Sequence, residues 1–269
     1  MQRFCREIGM PEEVTGKVLH LLESVEALPR LPKLLEEAAW EEGYQELLAM
    51  LGEDPRGYRM LCYMLLRARE AWAEYERLGL SRNLYVDTMA CFSRFVKEHR
   101  ESYGHYGFDR GFWTVRQISC KLLRIGQLEY ELTHLDGAPV ISLHIPTDVR
   151  LVSKLLRESY GQARALLGTV FPTYRDAPVF CCSWLLSPTL KTLLPPESNI
   201  LKFQRSFAVT PVESGGGYLQ WVYKNPNLPL EALPEDTSLQ RSLKAYLLSG
   251  GTFADGKGFL IQEPFREEL

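Results

Sequence analysis

The chain has 269 residues, enough for one large domain or two modest ones with a core that needs no staples. Apolar residues make up 45% and charged residues 24%, and the formal net charge is -3, so no global field for nucleic acid or an anionic membrane is expected. No apolar run approaches the ~20 residues of a membrane span, and the N-terminus "MQRFCREIGM" lacks the apolar core of a signal peptide. The cysteines Cys5, Cys62, Cys91, Cys120, Cys181 and Cys182 show no CxxC spacing, which argues against a metal site or a disulfide framework. A cytoplasmic protein with reduced thiols is the expectation.

The first ~110 residues read as helices. "MPEEVTGKVLHLLESVEAL" opens on Pro11 and two glutamates, with Val14, Val18, Leu21, Leu22 and Val25 at helical spacing. "LPKLLEEAAWEEGYQELLAMLG" ends in Gly52, a natural C-cap, and "DPRGYRMLCYMLLRAREAWAEYERLGL" runs from Asp54-Pro55 to near Gly79. A fourth helix opens on Ser81 and runs through "NLYVDTMACFSRFVKEH". The aromatic and glycine-rich "SYGHYGFDRGFW" breaks the pattern, and a helical domain over 1–112 followed by a second domain over 113–269 is expected.

From about Val115 the rhythm shortens to two. In "LLRIGQLEYELTHL", Leu128, Tyr130 and Leu132 face one way, while Gln127, Glu129 and Glu131 form a polar, solvated face. Asp136-Gly137 signals a turn into "APVISLHIP", so a hairpin is predicted. "TDVRLVSKLLRESYGQARALLG" reads as a helix capped by Thr147 and stopped by Gly168. "VFCCSWLLSP" is a sulfur-rich strand, and "SPTLKTLL" a short helix. "ILKFQRSFAV" and "GYLQWVYK" read as two strands of a second hairpin around "TPVESGGG", and "FADGKGFLIQEPF" as a glycine turn with an apolar end. The fold class expected is α+β, with a helical N-terminal half and a mixed sheet after it.

With those elements in that order, "RIGQLEYEL", "LHIPTDV", "CSWLLSPTLKTLLPPESNILKFQRSF" and "WVYK" together resemble the bacterial acyltransferase-domain family. Members join a helical N-terminal domain to a GNAT-like (acyl-CoA N-acyltransferase) C-terminal domain. The resemblance implies direct acyl transfer from acetyl-CoA or another acyl-CoA to a small or peptidyl amine. It also implies that the cofactor splays the strands flanking the central helix and rests its diphosphate at that helix's N-terminus. The matching positions here are Thr147, Asp148, Val149 and Arg150.

On that reading, His144 at the end of its strand is a candidate general base, with ordering of the turn as the structural alternative. Glu129 could position an amine or take a proton; Glu131 lies on the same face. Cys182 and Ser183 are candidate nucleophiles, although "FCCSWLL" lacks the glycines of a nucleophile elbow. Arg205, on an apolar strand face with Leu201, Phe203, Phe207 and Val209, needs a partner in Glu129, Glu131 or a ligand anion. Trp184 is a candidate substrate contact or a core residue. The alternatives to a transferase are a non-catalytic ligand-binding or scaffold protein of the same fold, and a cysteine or serine hydrolase.

Overall fold

The computed structural model describes residues 1–212, 217–225, 227–261 and 264–265. The chain divides into two compact units, Met1–Arg124 and Ile125–Leu269.

The first unit is helical: α1 (Gln2–Glu7), α2 (Glu12–Glu26), α3 (Trp40–Leu51), α4 (Tyr58–Arg77), α5 (Arg82–Met89), α6 (Cys91–Tyr103) and α7 (Gly111–Ile118). Helix α4 is the axis of its core, buried on every side from Met60 to Leu66, as a helix apolar all round must be. It starts later than the sequence suggests, at Tyr58 with Gly57 as its cap, and Asp54 reaches in from the preceding loop, its carboxylate accepting from Met60 N at 2.8 Å. Gly57 takes φ +67°, and a Cβ there would stand 1.8 Å from the Phe108 carbonyl oxygen. Ser81 caps as expected, its Oγ accepting from Leu84 N at 3.2 Å, but the helix it opens breaks at Ala90 into α5 and α6. The period-two rhythm read from Val115 starts later: Val115 to Ile118 belong to α7, which packs on α3 and α4. The expected division at 112/113 therefore falls inside a helix.

The six-stranded sheet has the order β1 (Leu122–Ile125), β2 (Leu128–Leu135), β3 (Ala138–His144), β4 (Val179–Ser183), β6 (Gly256–Leu260) and β5 (Phe207–Pro211). What reads as one strand from Leu122 is two, because Gly126 turns the chain with φ +60°. The β2/β3 hairpin forms on Asp136-Gly137, both at positive φ (51° and 79°) as a tight primed turn demands. Helix α8 (Ser153–Val170) crosses from β3 to β4, which run parallel.

Beyond β4 come α9 (Leu190–Leu193), α10 (Asn199–Gln204), β5, α11 (Gly217–Tyr223), α12 (Ser238–Leu248) and β6. Among the described residues the second predicted hairpin is not formed; residues 213–216 of its loop lie outside them. Ser198 caps a helix through its Oγ (3.2 Å from Leu201 N), so "NILKFQ" is helical. "GYLQWVY" is also a helix. Tyr218 and Val222 stand four apart, a spacing that suits both periods, and burial against Leu243, Leu247 and Phe253 selects the helix. Strand β5 pairs instead with β6, the glycine-bearing "GKGFL". Among the described residues no helix is long and apolar enough to cross a membrane.

Candidate active site at the end of β3 and β4

The hairpin register sets Glu129 opposite His144 and Glu131 opposite Ser142, so these four side chains share one sheet face. The other face carries Tyr130, Ile141 and Leu143, buried on the α8 side, where the Tyr130 hydroxyl meets Ser159 Oγ at 3.0 Å. The polar face is not the solvated face expected: Glu129 is 3% exposed and Glu131 8%. A carboxylate this far from water needs donors to remain charged. One is in place, for His144 Nε2 and Glu131 Oε2 lie 2.7 Å apart.

Strands β3 and β4 pair only through Ile141 with Val179 and Ser142 with Phe180. Pairing ends there, although β3 continues to His144 and β4 to Ser183. Ile141 N donates to the Pro178 carbonyl at 3.0 Å. Backbone direction alternates along a strand, so the N–H of Leu143, two residues on, also points toward β4, into the gap.

The chain from β3 to α8 differs from expectation. Thr147 does not cap a helix; residues 147–152 form a loop that opens with a turn at 147–148, and α8 begins at Ser153 with Val152 as its cap. Val149 N is bonded to the Pro146 carbonyl (3.1 Å), and Arg150 N to Gln127 Oε1 (2.8 Å). Those two N–H groups are thus already bonded, to Pro146 and to Gln127 between β1 and β2. The N-terminal donors that α8 leaves outside its own ladder are those of Ser153, Lys154 and Leu155. Arg150 precedes them, Lys154 and Arg157 sit in the first turns, and the first turn holds no acidic residue. Cations at a helix N-terminus oppose the helix dipole, an arrangement that an anion there would relieve. Lys154 and Arg157 escaped the sequence reading because the helix was started five residues early.

Ser183 and Trp184 lie at the C-terminal end of β4, the same end of the sheet as His144, because β3 and β4 are parallel. Ser183 Oγ accepts from Leu185 N at 3.2 Å and so caps the short turn 184–186. Trp184 packs on the apolar cluster of Leu190, Leu201, Tyr218 and Phe253. Cys181 is buried and Cys182 exposed, one to each face as their adjacency on a strand requires. Burial pushes both thiols up; the Asp255 carboxylate raises Cys182 further and Lys257 opposes it. Arg205 is not on a strand at all. It ends α10, is exposed, and donates to the Pro196 carbonyl. The expected apolar strand face around it does not exist because Leu201 and Phe203 are helical. Among the described residues no cluster of histidine, cysteine and carboxylate groups could hold a metal ion.

Comparisons with known proteins follow this division of the chain. Residues 1–120 match the N-acyltransferase N-terminal domain, and residues 122–260 match the GNAT-like C-terminal domain. No curated protein is found to match. Among solved structures, an acyltransferase in complex with decanoyl-CoA and teicoplanin is similar with TM-score 0.77 and 24% identity, over 95% of this chain and 85% of that one. An acyltransferase with CoA and 10C-teicoplanin gives TM-score 0.75 and 23% identity over 96% and 86%. A mutant acyltransferase with octanoyl-CoA gives 0.77 and 23% over 95% and 85%. The chain belongs to the family of the GNAT-like C-terminal domain, here following an N-acyltransferase N-terminal domain.

Proposed function

We propose that the protein transfers an acyl group from acyl-CoA to an amine. The observation that carries this reading is the gap between β3 and β4, with a cation-flanked helix N-terminus at its open end. An extended acyl-pantetheine arm fits between two strands that have stopped pairing, and the N–H groups of Ser153, Lys154 and Leu155 with Arg150 and Lys154 suit the diphosphate. The Thr147–Arg150 turn contributes Arg150 and the path of the chain rather than its backbone donors. The complexes of the similar acyltransferases with decanoyl-CoA and octanoyl-CoA support an acyl-CoA donor here.

In this reading the Leu143 N–H polarises the thioester carbonyl as charge develops on its oxygen. The amine nitrogen attacks the carbonyl carbon, the C–S bond breaks, and CoA leaves as thiolate. His144, half-buried on the polar face at the end of β3, takes the proton the amine loses. Holding both reactants at one strand end supplies much of the acceleration. The acceptor is an amine on a small molecule or peptide; the teicoplanin complex of a similar enzyme supports the peptidyl class. The six free thiols suit the reducing cytoplasm expected from the sequence.

The test is thermal stabilisation by CoA, acetyl-CoA and decanoyl-CoA, followed by CoA release in the presence of primary amines. Stabilisation by the esters with amine-dependent thiol release supports the transferase. If no CoA ester binds at millimolar concentration, the reading fails and a non-catalytic member of the fold takes its place.

A further inference from the structure

We propose that Asp255 binds the acceptor, holding a second, positively charged amine about 10 Å or more from the nitrogen that is acylated. This deepens the acyl-transfer reading above and rests on it. Strand β6 runs antiparallel to β4, with Gly256 opposite Ser183 and Lys257 opposite Cys182, so Asp255 stands at the same end of the sheet as Ser183 and His144. The extended path reaches it, for Val212 N donates to the Asp255 carbonyl at 3.0 Å. Side chains alternate along extended chain, which puts Asp255 on the face of Lys257 and Cys182, the face also of Ser142 and His144. Neighbouring strands lie ~4.8 Å apart, and two steps from β6 to β3 make about 10 Å, more where β3 and β4 have parted. Asp255 Oδ1 is shut from water and accepts no hydrogen bond. Such a carboxylate has lost hydration without gaining a donor, and burial raises its carboxyl above the ordinary range. Lys257, two residues on and exposed, makes no ion pair with it among the described residues. Gly217 leaves room beside the other oxygen: a Cβ there would stand 4.0 Å from Asp255 Oδ2 and 4.0 Å from Trp221 Nε1 and Cδ1. Gly217 is exposed, so a carboxylate and an indole flank a recess open to solvent, groups suited to an ammonium. A long diamine, or a peptide with an amino terminus and a basic side chain, carries both nitrogens; a small monoamine does not.

Amine-dependent release of CoA from decanoyl-CoA decides it, near pH ~8 where an alkyl amine is largely charged. Octane-1,8-diamine spans the separation when extended; octylamine lacks the second charge and ethane-1,2-diamine lacks the reach. In the native protein KM should be about 10-fold or more lower for octane-1,8-diamine than for either of the others, with kcat similar. Asp255→Asn should bring the KM for octane-1,8-diamine up to that for octylamine, and Asp255→Glu should keep part of the difference. The melting temperature of Asp255→Asn should not fall, because the native carboxylate has no partner to lose, whereas a merely structural aspartate would lower it. Equal KM for octane-1,8-diamine and octylamine, or an equal preference for ethane-1,2-diamine, would overturn the role of Asp255 in the native protein without any variant. A preference that survives Asp255→Asn would overturn it too. Release of CoA by none of the three amines would instead overturn the acyl-transfer reading on which Asp255 depends.

Discussion

Tyr130 and Ser159 join sheet to helix. The tyrosine hydroxyl lies 3.0 Å from Ser159 Oγ, and that same Oγ donates to the Ile125 carbonyl, so a single serine ties β1, β2 and α8. Both residues are 1% exposed, so bulk solvent does not reach them to replace a lost partner. The approach is close because Gly126 has no side chain; a Cβ there would stand 3.0 Å from Ser159 Cβ, at a φ of +60°. Ser159→Ala should cost about 1–3 kcal/mol, since two buried polar groups lose their partner at once. Tyr130→Phe removes only one side of the network and should cost about 0.5–1.5 kcal/mol. Urea midpoints of the two variants check the order; a Tyr130→Phe change larger than that of Ser159→Ala would contradict it.

The buried thiols predict an alkaline weakness. Burial pushes Cys62 and Cys120 up to about 12, and Tyr75 is raised by the same cause. In the unfolded chain a thiol ionises near ~8.5, so above that pH the unfolded state sheds protons that the native state keeps. Their contribution to stability is whole below ~8.5 and falls as pH rises toward the folded value, on the order of 1 kcal/mol per thiol and pH unit. Denaturant midpoints should therefore drop between about pH 8.5 and 10, and Cys62→Ser or Cys120→Ser should flatten that drop. A midpoint constant across the range would show that these thiols are not held neutral.

The helices of the first unit were legible because their signals are local: Ser81 and Gly52 act at the ends where they stand in the sequence, and Asp54 bonds into the first turn of α4 from the loop just before it. The β2/β3 hairpin was legible for the same reason, since Asp136-Gly137 dictates the turn and the register follows. Residues after Pro195 were misread where two periods coincide. Spacings of two and four place Leu201 with Phe203, and Tyr218 with Val222, on one face of a strand, so alternation alone could not reject it; the Ser198 cap could have. Thr237 and Gln240 form a full capping box that announces α12, a T-x-x-Q signal readable in advance. At the site, His144 stood out as a polar residue at a strand end. The Glu131 bond and the parting of β3 from β4 depend on pairing between distant segments, which no local pattern encodes.

Cys182 separates the transferase from the hydrolase reading. It is exposed on the sheet surface, yet burial and Asp255 raise its thiol, so little thiolate exists at neutral pH and none is held ready for attack. Cys182→Ser should leave decanoyl-CoA cleavage within about twofold of the native rate, against a loss on the order of 10²–10⁴ for removal of a true general base. Iodoacetamide labelling of the native protein should favour Cys182 over buried Cys181 and speed up with rising pH. A covalent acyl adduct on Cys182, seen by intact mass after mixing with decanoyl-CoA, would reverse the assignment.

Lys154 offers a prediction in which binding and stability move in opposite directions. It lies in the first turn of α8, whose first turn has no carboxylate, close to the free N–H groups proposed to hold the diphosphate. Without ligand, a glutamate at this exposed position interacts favourably with the positive end of the helix dipole, where lysine does not. Lys154→Glu should therefore raise the melting temperature of the unliganded protein slightly, by about 0.3–1 kcal/mol of stability at low ionic strength. The same carboxylate repels a diphosphate, so stabilisation by decanoyl-CoA should shrink or vanish, since that shift follows ligand concentration over its dissociation constant. Raising the salt concentration should erode both effects, because both are exposed charge interactions. Lys154→Gln should fall between the two. If Lys154→Glu keeps the full ligand shift, the diphosphate does not sit at the start of α8, and the anion site must be sought elsewhere along the gap.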